Sequence, residues 1–128
     1  MADETILRTV TVMPVTDVVE AAGWYKSALG FELRWLKEGG ELPPNYAVLE
    51  RDGVQVHLIL DEDPRPQPEW LRAGRGYLYL QVRDVESLYS GARSSGVVRG
   101  IETEPWGARA FLLEDPSGNS VRVEEPAQ

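Results

Sequence analysis

The chain contains no cysteine, only one histidine and no long apolar run. The lack of cysteine and of a long apolar run each excludes a class of protein. Without cysteine, neither a disulfide framework nor a thiolate metal site can form. No stretch approaches the about 20 apolar residues that a membrane-spanning helix needs. The acidic start, Met1–Glu4, is unlike the basic start of a secretory signal. We therefore expect a cytoplasmic protein.

Positive charge is also scarce, with 13 Lys and Arg against 21 Asp and Glu and a net charge of −8. Nucleic acids and anionic membranes are bound by clustered Lys and Arg, so the sequence predicts neither as a partner. An acidic protein attracts cationic ligands over long distances, although the same charge also serves solubility alone.

The chain repeats itself: Val15-Thr16-Asp17-Val18 is matched by Val82-Arg83-Asp84-Val85, 67 positions further along. Each block follows a strand-like run and opens a helix-like run in which the aspartate is a favourable N-cap. Apolar residues then recur at helical spacing, and the helices are predicted to end at Gly30 and Gly96.

Three strands are expected after each helix, which predicts an α+β protein of two tandem βαβββ modules. We expect one domain over residues 1–128, with module one at about 6–60, a linker at 61–75 and module two at about 76–125. The modules are expected to form a curved, cup-like mixed sheet with helices on its outer face. The predicted strands that follow the helices are 31–37, 46–50, 54–60, 97–103, 109–114 and 120–124, with a loop over 39–44.

Alternation along these strands gives one aliphatic face, which the helices must cover, and one face of rings, amides, a histidine and an arginine. Mixed linings of that kind suit small-molecule sites, because rings stack on a ligand and polar groups orient it. Tryptophans also serve packing or dimer contacts, and Trp24, beside the core stripe, is expected to be structural. The candidate ligand-binding residues are Trp35, Tyr46, His57, Trp70, Tyr79, Trp106 and Arg122.

Catalytic motifs are missing from the sequence, so we predict no catalytic residue. His57 is the single imidazole, and it suits either a hydrogen-bonded structural position or a general base. No G-x-S-x-G turn marks a nucleophilic serine, and no glycine-rich phosphate loop occurs. Arg122 suits either an ion pair with Glu124, two residues along the same face, or contact with a ligand.

Three segments resemble the vicinal oxygen chelate superfamily: Val12–Asp17, Trp24–Phe31 and the Asp-Pro-x-Gly-Asn hairpin within Phe111–Asn119. The resemblance extends over nearly the whole chain and includes the internal duplication. The superfamily contains glyoxalases, extradiol dioxygenases, fosfomycin-resistance enzymes and bleomycin-resistance proteins, so the resemblance is specific for the fold and broad for function.

The resemblance implies metal-ligand positions at Val10, His57, Tyr77 and Arg122, on the first, fourth, fifth and eighth strands. Only His57 is an ordinary ligand for a divalent cation, because valine has no donor atom and arginine places a fixed cation there. One ligand cannot hold such an ion against water. We therefore expect neither a metal nor another cofactor.

The end of the chain, with Trp106-Gly107 before the hairpin, looks most like bleomycin-resistance proteins, which are acidic homodimers that sequester a drug in crevices between subunits. The resemblance thus implies a metal-free homodimer that sequesters an aromatic antibiotic or metabolite, cationic ones included, and is a binding protein rather than an enzyme. The alternatives are a glyoxalase- or dioxygenase-like lyase, isomerase or oxygenase with an irregular metal site, a metal-free enzyme with a general base, and a protein-association module.

Overall fold

The computed structural model describes residues 5–61 and 72–128 and confirms the α+β class and the two βαβββ modules. None of the helices in these two ranges is both long and apolar enough to cross a membrane. The first module comprises β1 (Thr11–Val15), α1 (Val18–Leu29), β2 (Glu32–Gly39), β3 (Leu42–Arg51) and β4 (Val54–Leu60). The second comprises β5 (Tyr77–Gln81), α2 (Val85–Ala92), β6 (Val97–Thr103), β7 (Arg109–Glu114) and β8 (Ser120–Glu125).

The predicted helix caps are confirmed at three of the four ends. The Asp17 carboxylate accepts a hydrogen bond from the N–H of Glu20, and Gly30 ends α1 in the left-handed conformation. Asp84 caps α2 in the same way as Asp17 caps α1. The prediction that Gly96 ends α2 is wrong, because the helix stops at Ala92 and Gly96 instead turns the chain into β6 with φ +94°.

The loop predicted over 39–44 is also wrong, because β2 and β3 continue to a tight turn at Gly40 and Glu41. Proline is tolerated in β3 since Pro43 and Pro44 lie beyond the stretch that pairs with β4, which starts at Tyr46. The hairpin is therefore longer than local composition indicates.

The strands form two mixed four-stranded sheets, in the orders β1-β4-β3-β2 and β5-β8-β7-β6. In each sheet the first and last strands of the module pair in parallel and the other pairs are antiparallel. The aliphatic faces of both sheets share one core with α1 and α2. The indole N–H of Trp24 donates to the carbonyl of Ser95, which confirms that this tryptophan is structural and ties α1 to the end of α2.

A buried asparagine joins three separate segments. Asn119, which is 0% exposed, donates from Nδ2 to the carbonyl of Pro14 at 2.7 Å. Its Oδ1 accepts from the N–H groups of Gly74 and Gly76 at 2.9 and 2.8 Å. A Cβ on Gly76 would lie 2.9 Å from that oxygen, so only glycine allows the chain to approach so closely. Asn119 thereby fixes both β1 and the residue that precedes β5.

The neighbouring Asp115 completes this network. Its Oδ1 accepts from the N–H groups of Ser117 and Asn119, and its Oδ2 accepts from Asn119 Nδ2 and the hydroxyl of Tyr25. Burial, reinforced by the charge of Asp115, raises the pKa of Tyr25 well above its usual value, so its hydroxyl remains a donor. The hairpin that the sequence marks as a family motif thus has a structural role.

We predict that Asn119→Ala lowers the free energy of unfolding by more than about 3 kcal/mol, because it removes four side-chain hydrogen bonds and leaves the buried carbonyl of Pro14 without this donor. Urea unfolding monitored by circular dichroism measures the change. Ser117→Ala is the matched control and should cost less than about 1 kcal/mol, since among the described residues Ser117 Oγ bonds to Thr16, which is exposed. Equal losses in the two variants would contradict the role assigned to Asn119.

Candidate functional site

The first sheet carries a row of side chains on the side away from the helices. Trp35, Val48, His57 and Val12 are successive partners across β2, β3, β4 and β1. Their strand neighbours Leu49, Val56 and Met13 are fully buried in the core, so by alternation the row points outward. With Tyr46, on the same side of β3, these residues make up what we call the first face.

His57 is held at both ring nitrogens. Nε2 lies 3.1 Å from Oε1 of Gln55, and Nδ1 lies 2.7 Å from the hydroxyl of Tyr46. Since an amide oxygen only accepts, Nε2 donates to it and Nδ1 accepts from Tyr46. Burial raises the pKa of Tyr46, which keeps its hydroxyl a donor. The lone pair that a metal ion would need on His57 is therefore already used.

The second sheet carries an equivalent row. Tyr79, Arg122, Leu112 and Arg99 are successive partners across β5, β8, β7 and β6. Together with Glu124 they make up the second face. The repeat thus places Arg122 at the position that His57 has in the first sheet, and Arg99 at the position of Trp35.

Arg122 is held by two carboxylates. Its Nη2 lies 2.7 Å from Glu124 Oε1 and 3.3 Å from Glu104 Oε1, and its guanidinium lies 5.8 Å from the ring centre of Tyr79. The Tyr79 hydroxyl donates to the other oxygen of Glu124 at 2.5 Å. This hydrogen bond, followed by that of Arg122, lowers the pKa of Glu124 below its usual value. The structure confirms the pairing of Arg122 with Glu124, while a ligand contact stays a prediction.

The predicted ligand-binding residues fall into two groups. Trp35, Tyr46 and His57 share the first face, and Tyr79 and Arg122 share the second. Because the two faces belong to different sheets and both point away from the common core, one chain does not bring the groups together. Of the remaining two, Trp106 is 63% exposed in the turn between β6 and β7, and Trp70 lies outside the described residues.

Sequence reasoning missed two polar partners. Gln55 lies two residues before His57 on the same side of β4, so strand alternation alone could have indicated it. Glu104 reaches Arg122 from the end of β6, and no local signal could have found it because the contact depends on the fold of a long hairpin.

The donors on the two faces do not fit a divalent metal. Beside His57 lies its strand partner Val12, and beside Arg122 lies its strand partner Tyr79. The metal-ligand positions that the resemblance implied on these strands, Val10 and Tyr77, lie two residues earlier in each case. In residues 5–61 and 72–128, no three His, Asp or Glu side chains are grouped to hold a metal ion. Arg122 is itself a cation, and it already pairs with the two nearby carboxylates, Glu104 and Glu124, that could otherwise bind a metal ion.

The lowered pKa of Glu124 predicts an acid-sensitive contribution to stability. Ionised Glu124 stabilises the fold above the ordinary carboxyl pKa, and that contribution is lost as the pH falls through the lowered folded-state pKa. The gap in unfolding free energy between the wild type and Glu124→Gln should therefore shrink from pH 7 to about pH 3. Denaturant titrations at several pH values measure it, with the exposed Glu38→Gln as the control. A gap that stays constant with pH would contradict the assignment.

Comparison of the sequence with known proteins identifies a family. The sequence model of the "Glyoxalase/Bleomycin resistance protein/Dioxygenase superfamily" matches residues 6–123. Bleomycin resistance proteins of Geobacillus stearothermophilus and Staphylococcus aureus are 25% identical to this chain over 130 aligned positions, which cover 91% of this chain and 94% of theirs.

Solved structures have the same fold. TioX from Micromonospora sp. ML1 superposes with a TM-score of 0.77 at 20% identity, covering 94% of this chain and 98% of that one. The bleomycin-binding protein of the bleomycin-producing Streptomyces verticillus, complexed with copper(II)-bleomycin, gives 0.72 at 20% identity, covering 96% and 98%. A glyoxalase/bleomycin resistance protein from Catenulispora acidiphila DSM 44928 gives 0.69 at 27% identity, covering 94% and 99%. Because the family model matches nearly the whole chain, the protein belongs to the glyoxalase/bleomycin resistance protein/dioxygenase superfamily.

Proposed function

We propose that this protein sequesters a small aromatic antibiotic or metabolite, cationic ligands included, and does so without a metal. The observation that carries the proposal is the first face, where apolar and aromatic side chains surround a histidine oriented by two hydrogen bonds. An apolar and aromatic lining with few polar groups in fixed positions suits recognition of a ligand.

The first face offers a surface for stacking. Trp35 is 53% exposed, and Val12 lies at the other end of the same row. Large rings with few rotatable bonds gain contact area at low entropic cost. The fixed orientation of His57 adds a polar anchor, because its ring cannot rotate without breaking bonds to Tyr46 and Gln55.

The second face supports a ligand that carries positive charge. Arg122 and Arg99 pair with three carboxylates, those of Glu102, Glu104 and Glu124, so this cluster has an excess of one negative charge. The net charge of −8 also attracts a positively charged ligand over long distances. The bleomycin-binding relative, whose structure contains copper(II)-bleomycin, supports the antibiotic class.

A homodimer would complete the site. Two copies related by a two-fold axis can place the first face of one protomer opposite the second face of its partner, which gives two equivalent crevices. Each crevice would then combine a stacking wall with a charged wall. The core shared by both modules supports treating each protomer as one domain, and the absence of cysteine supports a cytoplasmic location.

A thermal-shift screen with bleomycin and other aromatic antibiotics tests the proposal. A ligand at a hundred times its Kd stabilises the fold by about 2.7 kcal/mol, so the Tm should rise by several degrees. His57→Ala and Trp35→Ala should each weaken binding about tenfold or more, because they remove the anchor or the stacking surface. Val19→Ala, an exposed change on α1, is the control and should bind as the wild type does.

Two outcomes would contradict this function. If no aromatic compound raises the Tm at high concentration, the sequestration proposal fails. If a compound is instead converted, and His57→Ala abolishes conversion while binding persists, the general-base enzyme replaces the binding protein as the better account.

A further inference from the structure

A groove of about 530 Å³ lies at the seam between the two modules, away from both faces. It is formed by the end of α1, the turn between β3 and β4, and the connection from β5 to α2. Apolar side chains line it, and its volume is within the range of small-molecule pockets. The apolar lining comprises Leu29, Phe31, Val54, Leu80, Val82 and Leu88.

The internal repeat explains why this seam is open. At the equivalent junction, the long β7–β8 turn contacts the β1–α1 connection, and Ser117 Oγ accepts a hydrogen bond from the N–H of Thr16 at 2.9 Å. The β3–β4 turn has only Asp52 and Gly53, so it does not fill the corresponding space. In the repeat, Ala92 of α2 also corresponds to Tyr25, whose hydroxyl reaches the longer turn.

Arg83 is the counterpart of Thr16, and it lines the open groove. Within residues 5–61 and 72–128, neither its backbone N–H nor its guanidinium has a hydrogen-bond acceptor or ionic partner. The other charged groups of the groove are engaged: Arg51 bonds to the Leu29 carbonyl at 2.6 Å and pairs with Asp52. Asp84 is occupied as the cap of α2. The two cations and two carboxylates of the groove balance in formal charge, and Arg83 is the one of the four for which the described residues supply no partner.

We propose that this seam groove is a second ligand site, which binds a small organic acid with an apolar body. One carboxylate oxygen takes the place that Ser117 Oγ has at the closed junction and accepts from the backbone N–H of Arg83. The guanidinium pairs with the same carboxylate in a charge-assisted bond. The apolar body lies over Phe31, Leu80 and Leu88. The site is independent of the two faces and of the ligand proposed for them.

Amide chemical-shift mapping of the full chain tests the site with hexanoate as the probe and hexylamine and hexanol as matched cationic and neutral probes. Hexanoate should shift the amide resonances of Arg83, Ser87 and Val54 in a saturable way below about 10 mM. The amine and the alcohol should bind at least about tenfold more weakly, because neither offers a carboxylate. The amides of His57 and Arg122 should stay in place.

Two variants separate the groove from non-specific binding. Arg83→Gln should weaken hexanoate binding about tenfold, and Ser87→Trp should abolish it by filling the groove from an exposed position. Arg93→Gln, an exposed charge change at the other end of α2, is the control and should bind as the wild type does. The proposal is overturned if hexanoate causes no saturable shifts at these amides, if hexylamine binds equally well, or if Arg83→Gln and Arg93→Gln bind alike.

Discussion

The buried polar network around Asn119 is the interaction on which the rest of the structure depends. One side of its amide holds Pro14 in β1, and the other holds Gly76 directly before β5. β1 places Val12 beside His57, and β5 places Tyr79 beside Arg122. A single buried side chain thus holds one edge strand of each sheet, and with it the positions of Val12 and Tyr79 on the two faces. Because Pro14 and Asp115 are buried, replacing Asn119 removes partners from polar groups that water does not readily reach.

Local patterns in the sequence were sufficient for much of the fold. Strand alternation and helical spacing predicted β4, β6 and β7 at their observed bounds, and Asp17 and Asp84 marked both helix starts. The errors arose where long-range pairing overrides composition. β3 continues through Pro43 and Pro44 because its pairing with β4 begins only at Tyr46. α2 ends at Ala92, before Gly96, the glycine that was predicted to end it.

The candidate site was also predicted only in part, because local patterns in the sequence indicate its strand positions and not its long-range contacts. Alternation within a strand placed His57 and Arg122 on outward faces and indicated the pair of Arg122 with Glu124. It could not reveal that the two groups lie on separate sheets, since that depends on how the modules pack. The contact of Glu104 with Arg122 and the open seam at Arg83 likewise depend on turn lengths and on residues distant in the sequence.

The proposed function requires a homodimer that binds its ligand directly, without a resident metal. Native mass spectrometry of protein purified without a chelator tests it in one spectrum. The account predicts the mass of two chains with no added metal, and a further peak raised by the mass of the bound compound when an aromatic ligand from the thermal-shift screen is added. A monomer that binds no ligand, or a chain that carries one equivalent of a divalent metal before ligand is added, would contradict it.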